Sequence, residues 1–370
     1  MKKVCFTFLL VIIVACGNNA EESESSNVST TIGNDVITAT SEVINDSTTT
    51  TDPVIAYTFD KEKMSPFTGK ELPAEIWLKR PRRVIAFKID NNINARPQSG
   101  LQEADAVHEI LVEGGMTRFL AFYLDNTSKY LGPIRSARPT DPTMVRPYGG
   151  TLVVSGATAG LIPSIREMGV PVLEEQSSPV MFRISSRNKP HNLYADTELV
   201  RERIEEKGFY FLQPGPQPIY TFGLNQSNWS VGAGKVTVKY SDFTTVIWKL
   251  DDDKYSRFII DNYSDNKDAV AHNFISQDGN YTDILQTETI VVLQGPLYKD
   301  QATTLPSVLT VGVGTAYVIN KGSYIEGTWR RGDISDVFVL SDLDGNEIQV
   351  PPSTQWVHIL PNEGTVIIDK

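Results

Sequence analysis

The sequence predicts an α+β fold in two domains, a mixed α/β domain over residues 53–213 and a mostly antiparallel β domain over residues 214–370. Three observations predict it. Strand-like and helix-like patterns alternate through the first of these segments. In the second segment, β-rich runs separated by turn residues dominate. The body as a whole, roughly 320 residues, is also longer than one hydrophobic core usually spans.

The N-terminal domain interleaves short apolar strands with two helices. Gly114-Gly115 separates two of the strands and predicts a hairpin between them. Asp196 or the next residue is the predicted cap of the second helix, and Gly208 is its stop. A short helical turn capped by Ser99 is also predicted over 99–105. The predicted strands are 84–89, 106–113, 117–124 and 151–155, and the predicted helices are 160–168 and 196–207.

The C-terminal domain contains few helical signals. Its apolar and β-branched runs are short, and turn residues lie between them, which favours antiparallel sheet. Lys321-Gly322 and Asp344-Gly345 are predicted hairpin turns. The predicted strands are 235–240, 245–249, 255–259, 289–292, 316–319 and 337–340.

The N-terminus has the pattern of a bacterial export signal. Two lysines precede an apolar run over 4–14, shorter than the roughly 20 residues that a membrane span needs. Small and apolar residues then lead to Cys16, as in the lipobox of bacterial lipoproteins. We predict a signal peptide over 1–15 and a lipid on Cys16 that anchors the chain in the bilayer, on the outer face of the cell membrane. An ordinary signal peptide or an uncleaved anchor is the alternative.

Residues 16–52 are rich in Ser, Thr, Asn and Glu and contain no aromatic residue. Such a segment buries too little apolar surface to offset its ordering entropy, so we predict a disordered tether. The two cysteines of the chain, Cys5 and Cys16, both lie at or before the predicted cleavage point. The body is therefore predicted to have no disulfide and no cysteine-ligated metal, and no sequence motif indicates a cofactor or a metal site.

The charge balance of the chain argues against one class of partner. The formal net charge is −11 at pH 7, and loss of the two lysines in the signal would make it about −13. An acidic body binds neither nucleic acid nor anionic lipid non-specifically. It can still carry a local basic site.

Several polar motifs together resemble the YerB-like bacterial lipoproteins, a family defined as domains of unknown function. Their order and spacing carry the resemblance, which extends from about residue 67 to about residue 361. It implies an extracytoplasmic lipoprotein with two domains and supplies no reaction. The family position of His108 is often aromatic, so His108 is not a candidate site. The motifs are 95–101, 104–105, 113–119, 132–139 and 190–194, with looser matches at 326–329, 344–346 and 355–356.

Two carboxylates on one predicted strand are catalytic candidates. Glu109 and Glu113 share a face because side chains alternate along a strand. The hairpin returns through Arg118, a candidate ligand-binding residue, so a structural ion pair between a glutamate and an arginine is the alternative for both carboxylates.

A basic loop follows Gly132-Pro133. Arg135, Ser136 and Arg138 form a candidate receptor for a carboxylate or a phosphate, because guanidinium donors bind both in a bidentate manner. We expect Arg96 to join this cluster. The alternative is that the arginines only tie the loop to nearby carbonyls and to the two glutamates.

A second loop carries His191, Asn192 and Tyr194. A loop histidine is a candidate general acid or base, since its unperturbed pKa lies near operating pH, and its two neighbours are candidate ligand contacts. A hydrogen-bonded structural loop is the alternative.

The sequence supports two functions. The first is an anchored lipoprotein that binds an anionic cell-envelope ligand, whether a cell-wall glycan, a polymer or a partner protein. The second is a metal-free, glycan-cleaving cell-wall enzyme that uses Glu113 or Glu109 with Arg135 and His191. A cleft that holds Glu113, Arg135 and His191 within about 8 Å would favour the enzyme. A ligand-capturing transporter subunit is weaker, because such proteins usually have two similar α/β lobes.

Overall fold

The structure is a computed structural model that describes residues 57–79, 83–209, 216–261, 268–276 and 282–370. The predicted signal peptide, the predicted lipidation at Cys16 and the predicted tether lie outside the described residues. Within the described ranges, no helix has both the length and the apolar character needed to cross a membrane.

Where the structure describes it, the first part of the chain contains eight short strands and four short helices. The strands are β1 (Ile85–Asp90), β2 (Gln98–Ser99), β3 (Ala106–Leu111), β4 (Thr117–Tyr123), β5 (Thr151–Val153), β6 (Val172–Leu173), β7 (Met181–Arg183) and β8 (Leu193–Ala195). The helices are α1 (Ala74–Trp77), α2 (Asp141–Val145), α3 (Leu161–Glu167) and α4 (Thr197–Glu206), with 3-10 turns at Ile93–Ala95, Glu113–Gly115 and Arg146–Tyr148.

The second part is built of strands alone where the structure describes it. They are β9 (Ser230–Val231), β10 (Lys235–Lys239), β11 (Thr244–Asp251), β12 (Lys254–Asp261), β13 (Val270–Ala271), β14 (Asn273–Ile275), β15 (Thr282–Ile284), β16 (Gln286–Thr287), β17 (Thr289–Gly295), β18 (Leu297–Lys299), β19 (Pro306–Val308), β20 (Gly312–Asn320), β21 (Ser323–Arg331), β22 (Val339–Asp342), β23 (Gln355–Pro361) and β24 (Thr365–Asp369). The described chain is therefore mainly β, and most of its strand pairs are antiparallel.

One large sheet contains strands from both parts of the chain. Its order is β22-β21-β20-β17-β23-β3-β4-β1-β5-β6, with β9 beside β21. The two parts meet where β23 pairs in parallel with β3, and Trp356 lies opposite Val107. The predicted boundary at 213/214 stays a prediction, but the two segments on either side of it share this sheet.

The large sheet is buried on both faces. Along β1, Ala86 belongs to one hydrophobic cluster and Phe87 to the other, because successive side chains point to opposite faces. The second cluster also contains Val236 and Trp248, from β10 and β11 of a six-stranded sheet ordered β13-β12-β11-β10-β24, with β16 beside β12. Burial on both faces explains why the central strands are almost continuously apolar in sequence.

Local sequence signals account for one helix and fail for another. Asp196 caps α4 by accepting from the backbone N–H groups of Glu198 and Leu199, and Gly208 adopts a positive φ just after the helix. The prediction of a helical turn over 99–105 capped by Ser99 is wrong, because residues 101–103 form a turn that is not helical and Ser99 does not cap it. Ser99 lies in β2 opposite Ile275, and its hydroxyl donates to the carbonyl of Tyr130 instead of capping a helix.

Candidate functional site

The polar loops predicted as a site come together at one end of the large sheet. β1 ends at Asp90, which lies opposite Arg118 at the start of the antiparallel strand β4. β5 runs parallel to β1, so its carboxyl end and the loop after it lie at the same end. Buried strands thus fix the backbone from which the site's side chains project.

Backbone hydrogen bonds hold the basic loop against these strands. The N–H of Arg135 donates to Lys88 O at 2.8 Å, and the N–H of Ile134 donates to Leu193 O at 2.7 Å. Ser155, after β5, donates its N–H to the carbonyl of Arg135 at 3.0 Å. The loop is therefore part of the folded scaffold, and its side chains are pre-positioned.

The carboxylate of Asp90 is the centre of the site. Its Oδ2 lies 2.7 Å from His191 Nδ1, while Oδ1 accepts from the backbone N–H of Asn92 at 3.1 Å. Arg135 Nε lies 3.1 Å from the same Oδ2, an ion-pair distance without the alignment of a hydrogen bond. We call Asp90, Arg135 and His191 the Asp90 cluster. Two of the predicted site residues, Arg135 and His191, are brought together here by one carboxylate.

The partners of Asp90 reach the surface although Asp90 itself does not. The side chain of Asp90 is 3% exposed, against 21% for Arg135 and 17% for His191. Among the described residues, neither the terminal nitrogens of Arg135 nor Nε2 of His191 have a hydrogen-bonding protein partner. The hydroxyls of Ser136, next to Arg135 in the chain, and of Ser155, whose N–H donates to the Arg135 carbonyl, lie 3.5 Å from each other. The cluster therefore presents unused donors and one ring nitrogen to a ligand.

Glu113 is held by two arginines beside this cluster. Arg138 donates to both of its carboxylate oxygens, and Arg118 lies 3.5 Å away. Burial alone would raise the pKa of Glu113, but the Arg138 hydrogen bond and the charge of Arg118 outweigh it and lower the pKa to about 2. Glu113 is thus ionised at neutral pH and poorly suited to act as a general acid.

Arg118 and Arg138 are also committed to the backbone. Arg118 donates to Ser136 O at 2.9 Å, and Arg138 donates to Ala137 O at 2.7 Å. Their side chains are 5% and 8% exposed. These two arginines therefore shape the basic loop and contribute positive potential, as the structural alternative proposed for them, whereas Arg135 keeps free donors.

Glu109 lies in a different place, inside the core. Its side chain is fully buried, and both of its oxygens accept from Arg257 at 2.8 Å. Thr117 and Trp356 complete its hydrogen bonds at 2.8 and 3.0 Å. We call Glu109, Arg257, Thr117 and Trp356 the Glu109 centre. The expectation of a catalytic Glu109 is not supported, because no atom of its carboxylate faces solvent or lacks a partner.

Arg96 does not join the basic loop. It donates through Nε to Asn91 Oδ1 at 3.1 Å and forms an ion pair with Asp261 at 2.6 Å. A third bond, of 2.7 Å, goes to the carbonyl of Asn91. Asn91 and Asp261 engage all three guanidinium nitrogens of Arg96 and hold it away from Arg135.

The neighbours of His191 are structural as well. The amide of Asn192 donates to Ile184 O and Arg187 O and accepts from Arg183, so it closes its own loop. Tyr194 is fully buried, and its hydroxyl accepts from Arg187 at 2.9 Å. The ligand contacts expected of Asn192 and Tyr194 are therefore not available, in contrast to His191.

Sequence reasoning missed Asp90. It is the last residue of the apolar strand now seen as β1, and Asp90-Asn91-Asn92 could be interpreted only as the end of that strand. The available signal was its position, because an acidic residue at the carboxyl end of a buried strand is placed where α/β sheets bind ligands. The sequence could not show that His191, about a hundred residues later, would reach the same carboxylate.

Comparison with known proteins gives concordant matches. Residues 67–210 match the N-terminal domain of DUF3048, a protein of unknown function, and residues 236–357 match the C-terminal domain of the same family. A Bacillus subtilis (strain 168) protein named "Putative lipoprotein YerB" is 25% identical over 314 residues, which is 84% of this chain and 90% of that protein. The crystal structure of the YerB protein from Bacillus subtilis superposes with a TM-score of 0.67 and 21% identity, over 82% of this chain and 99% of that one. The resemblance noted in the sequence motifs is thereby confirmed, and the chain belongs to the YerB-like DUF3048 family.

Proposed function

We propose that this protein is a lipid-anchored envelope lipoprotein that binds an anionic group of the cell wall through the Asp90 cluster. The supporting observation is that Arg135 combines a fixed backbone with terminal guanidinium nitrogens that no described protein acceptor occupies. A planar guanidinium with free donors matches the paired oxygens of a carboxylate or a phosphate.

The local charge supports an anionic ligand. The basic loop contributes Arg118, Arg135 and Arg138, and two carboxylates, Asp90 and Glu113, face them. One positive charge is left over before any contribution from His191. On a chain with a net charge of −11, such a focused positive site selects for an anion locally instead of attracting anionic surfaces in general.

The anchor supplies the second part of the proposal. The predicted lipid on Cys16 and the predicted tether over 16–52 would hold the body outside the membrane, within reach of the wall. The related protein named as a lipoprotein supports membrane anchoring. A tether of this length has a typical reach of roughly 30 Å. Mass spectrometry of the membrane-extracted protein tests this part, since Cys16 should be the first residue and carry the lipid.

The enzyme alternative with glutamate as the acid has less support. Glu109 is enclosed in the core and Glu113 is neutralised by two arginines. A glycosidase needs two available carboxyl groups within about 10 Å of each other, and neither Glu109 nor Glu113 is available in this way. The proximity of Arg135 and His191 is compatible with ligand binding or with a reaction that does not use a glutamate as the acid.

The binding proposal is tested by co-sedimentation with isolated cell-wall sacculi that retain their anionic polymers. The full chain, purified in a mild detergent, should pellet with the wall and be released by salt. We expect Arg135→Ala to weaken binding at least about tenfold, because a charge-assisted contact contributes about 1.5–3 kcal/mol. Arg166→Ala is the matched control, since Arg166 forms an exposed pair with Glu174. Wild type that stays in the supernatant, or Arg135→Ala that binds like wild type, would overturn the proposal.

A further inference from the structure

The Asp90–His191 pair has the geometry of a general base. We propose that it hydrolyses acyl esters carried by the wall polymer that the Asp90 cluster binds, with water as the nucleophile. The inference rests on the proposed function, because the same arginine would hold the polymer and stabilise the reaction. It adds an activity and a substrate class to what binding alone would require.

The buried carboxylate decides the tautomer of the histidine. A carboxylate oxygen accepts a hydrogen bond from a neutral imidazole, so the 2.7 Å contact places the ring proton on Nδ1 of His191 and leaves the lone pair on Nε2. Nε2 has no protein partner among the described residues, and the side chain is 17% exposed. The ring is thus oriented by Asp90 from inside and presents its basic nitrogen to solvent.

Arg135 supplies the other half of an ester-cleaving site. Its Nε lies beside the same Asp90 oxygen that accepts from His191, so the guanidinium and the imidazole are neighbours. The free terminal nitrogens of Arg135 can donate to an oxyanion as it forms. Donors that are already in place where negative charge develops give the largest single contribution in many enzymes.

The reaction balances with these groups and water. His191 Nε2 accepts a proton from water as the water oxygen bonds to the ester carbonyl carbon, and the carbonyl oxygen becomes an oxyanion beside Arg135. The bond from that carbon to the alcohol oxygen then breaks, and the protonated His191 returns its proton to the departing alkoxide. The products are a free carboxylic acid and a polymer hydroxyl, and His191 is neutral again.

The geometry favours acyl esters over phosphodiesters. One histidine can remove the proton from water and return it to the departing alcohol, because the water oxygen and the alcohol oxygen are bonded to the same tetrahedral carbon. In-line displacement at phosphorus places the leaving oxygen opposite the attacking water, and a second acid would be needed there. Water is assigned as the nucleophile because the polar contact of the Ser136 hydroxyl is with Ser155, and no described contact joins either serine to His191.

The test is acetate release from sacculi that carry O-acetyl esters, measured by ion chromatography with the full chain in mild detergent. Sacculi that have been de-esterified with mild base serve as the blank. We expect His191→Gln to lower the initial rate at least about 100-fold. Asp90→Asn should lower kcat without raising KM, because Asp90 is a positioning residue that orients His191. His108→Phe is the matched histidine control, since His108 is buried elsewhere in the fold.

The two proposals fail in different ways. If wild type sediments with the wall but releases acetate no faster than His191→Gln, the esterase inference is overturned and the binding proposal stands. If wild type releases acetate but does not sediment, binding as the principal function is overturned instead. Far-UV circular dichroism and thermal unfolding of each variant ensure that a lost rate is not a lost fold. A misfolded His191→Gln leaves the decision to Asp90→Asn, whose unchanged kcat would also overturn the inference.

Discussion

The Glu109 centre and the Asp90 cluster contain the same types of charged residue but differ in their exposure to solvent. Each has a buried carboxylate facing an arginine, and each has a histidine nearby. In the Glu109 centre both Glu109 and Arg257 are fully buried, and the ring faces of Trp248 and Trp356 lie 5.7 and 5.1 Å from the guanidinium carbon. In the Asp90 cluster the carboxylate is buried but its partners are partly exposed and keep free nitrogens. Spare hydrogen-bonding capacity at the surface, rather than residue type, therefore marks a candidate site.

The Glu109→Gln variant tests the buried Glu109 centre, and we expect it to change stability more than any other variant. Glu109→Gln removes the negative charge that compensates Arg257, and both groups are fully buried. Breaking a buried pair from one side leaves an uncompensated charge, so we expect the free energy of unfolding to fall by about 3–5 kcal/mol. Urea denaturation followed by tryptophan fluorescence measures this.

A matched surface pair sets the scale for that loss. Glu174 pairs with Arg166 at 3.2 Å with both side chains about half exposed, and Glu174→Gln should cost less than about 1 kcal/mol. If Glu109→Gln were as stable as Glu174→Gln and lost wall binding instead, the Glu109 centre would belong to the functional site.

The Arg135→Lys variant tests the partly exposed Asp90 cluster. Arg135→Lys keeps the positive charge of the Asp90 cluster but replaces a planar fork of donors by a single ammonium group. We expect wall binding to weaken by less than the loss of about tenfold or more expected for Arg135→Ala. Thermal stability should change little, because lysine keeps the positive charge that faces Asp90. Equal binding by Arg135→Lys and wild type would show that charge alone holds the ligand, and it would remove the argument from bidentate geometry.

The sequence predicted the strands far better than the partners of its charged residues. Apolar alternation and turn residues located β1, β3, β4 and β5, and they located six of the sixteen strands described after residue 214, because these signals depend on near neighbours in the chain. Those six are β10, β11, β12, β17, β20 and β22. The pairing of β23 with β3 joins residues some 250 positions apart, and no local pattern encodes it.

The same limit explains the errors at the candidate site. A structural ion pair was an open alternative for Glu109, with Arg118 as its partner, yet the actual partner is Arg257 on β12. Arg135 and His191 were identified as candidates because exposed polar loops are recognisable locally. Asp90 was missed because its role depends on a fold that brings a distant loop to the end of β1.

The buried histidine His108 provides a further contrast with His191 of the Asp90 cluster. Both ring nitrogens of His108 are buried without a hydrogen-bonding partner in the described structure, and the ring lies 4.6 Å from that of Phe122. Burial, together with the charge of Arg331, lowers the pKa of His108 to about 3. Because unsatisfied polar atoms cost stability, we expect His108→Phe to raise the free energy of unfolding by about 1 kcal/mol at pH 7.5.

The pH dependence of that difference has a definite sign. The folded pKa of His108 is below the ordinary histidine value of 6.5, so its contribution is complete above pH 6.5 and is lost as the pH falls toward about 3. His108→Phe should therefore gain on wild type by about 1.4 kcal/mol per pH unit below 6.5. Urea midpoints at pH 7.5, 6 and 5 measure this, and a constant gap would show that His108 is not buried as a neutral ring.

The smallest expected effect separates binding from glutamate-based catalysis. At neutral pH Glu113 is ionised, because the Arg138 hydrogen bond and the Arg118 charge outweigh burial and hold its pKa at about 2. Glu113→Gln would free part of the positive charge of these two arginines beside Arg135, so wall binding should tighten about threefold and gain a steeper salt dependence. Co-sedimentation at two salt concentrations measures both quantities. A Glu113→Gln protein that binds as wild type but releases no wall fragments where wild type does would instead make Glu113 a catalytic residue. In that case the pairing with two arginines would describe its resting state rather than its role.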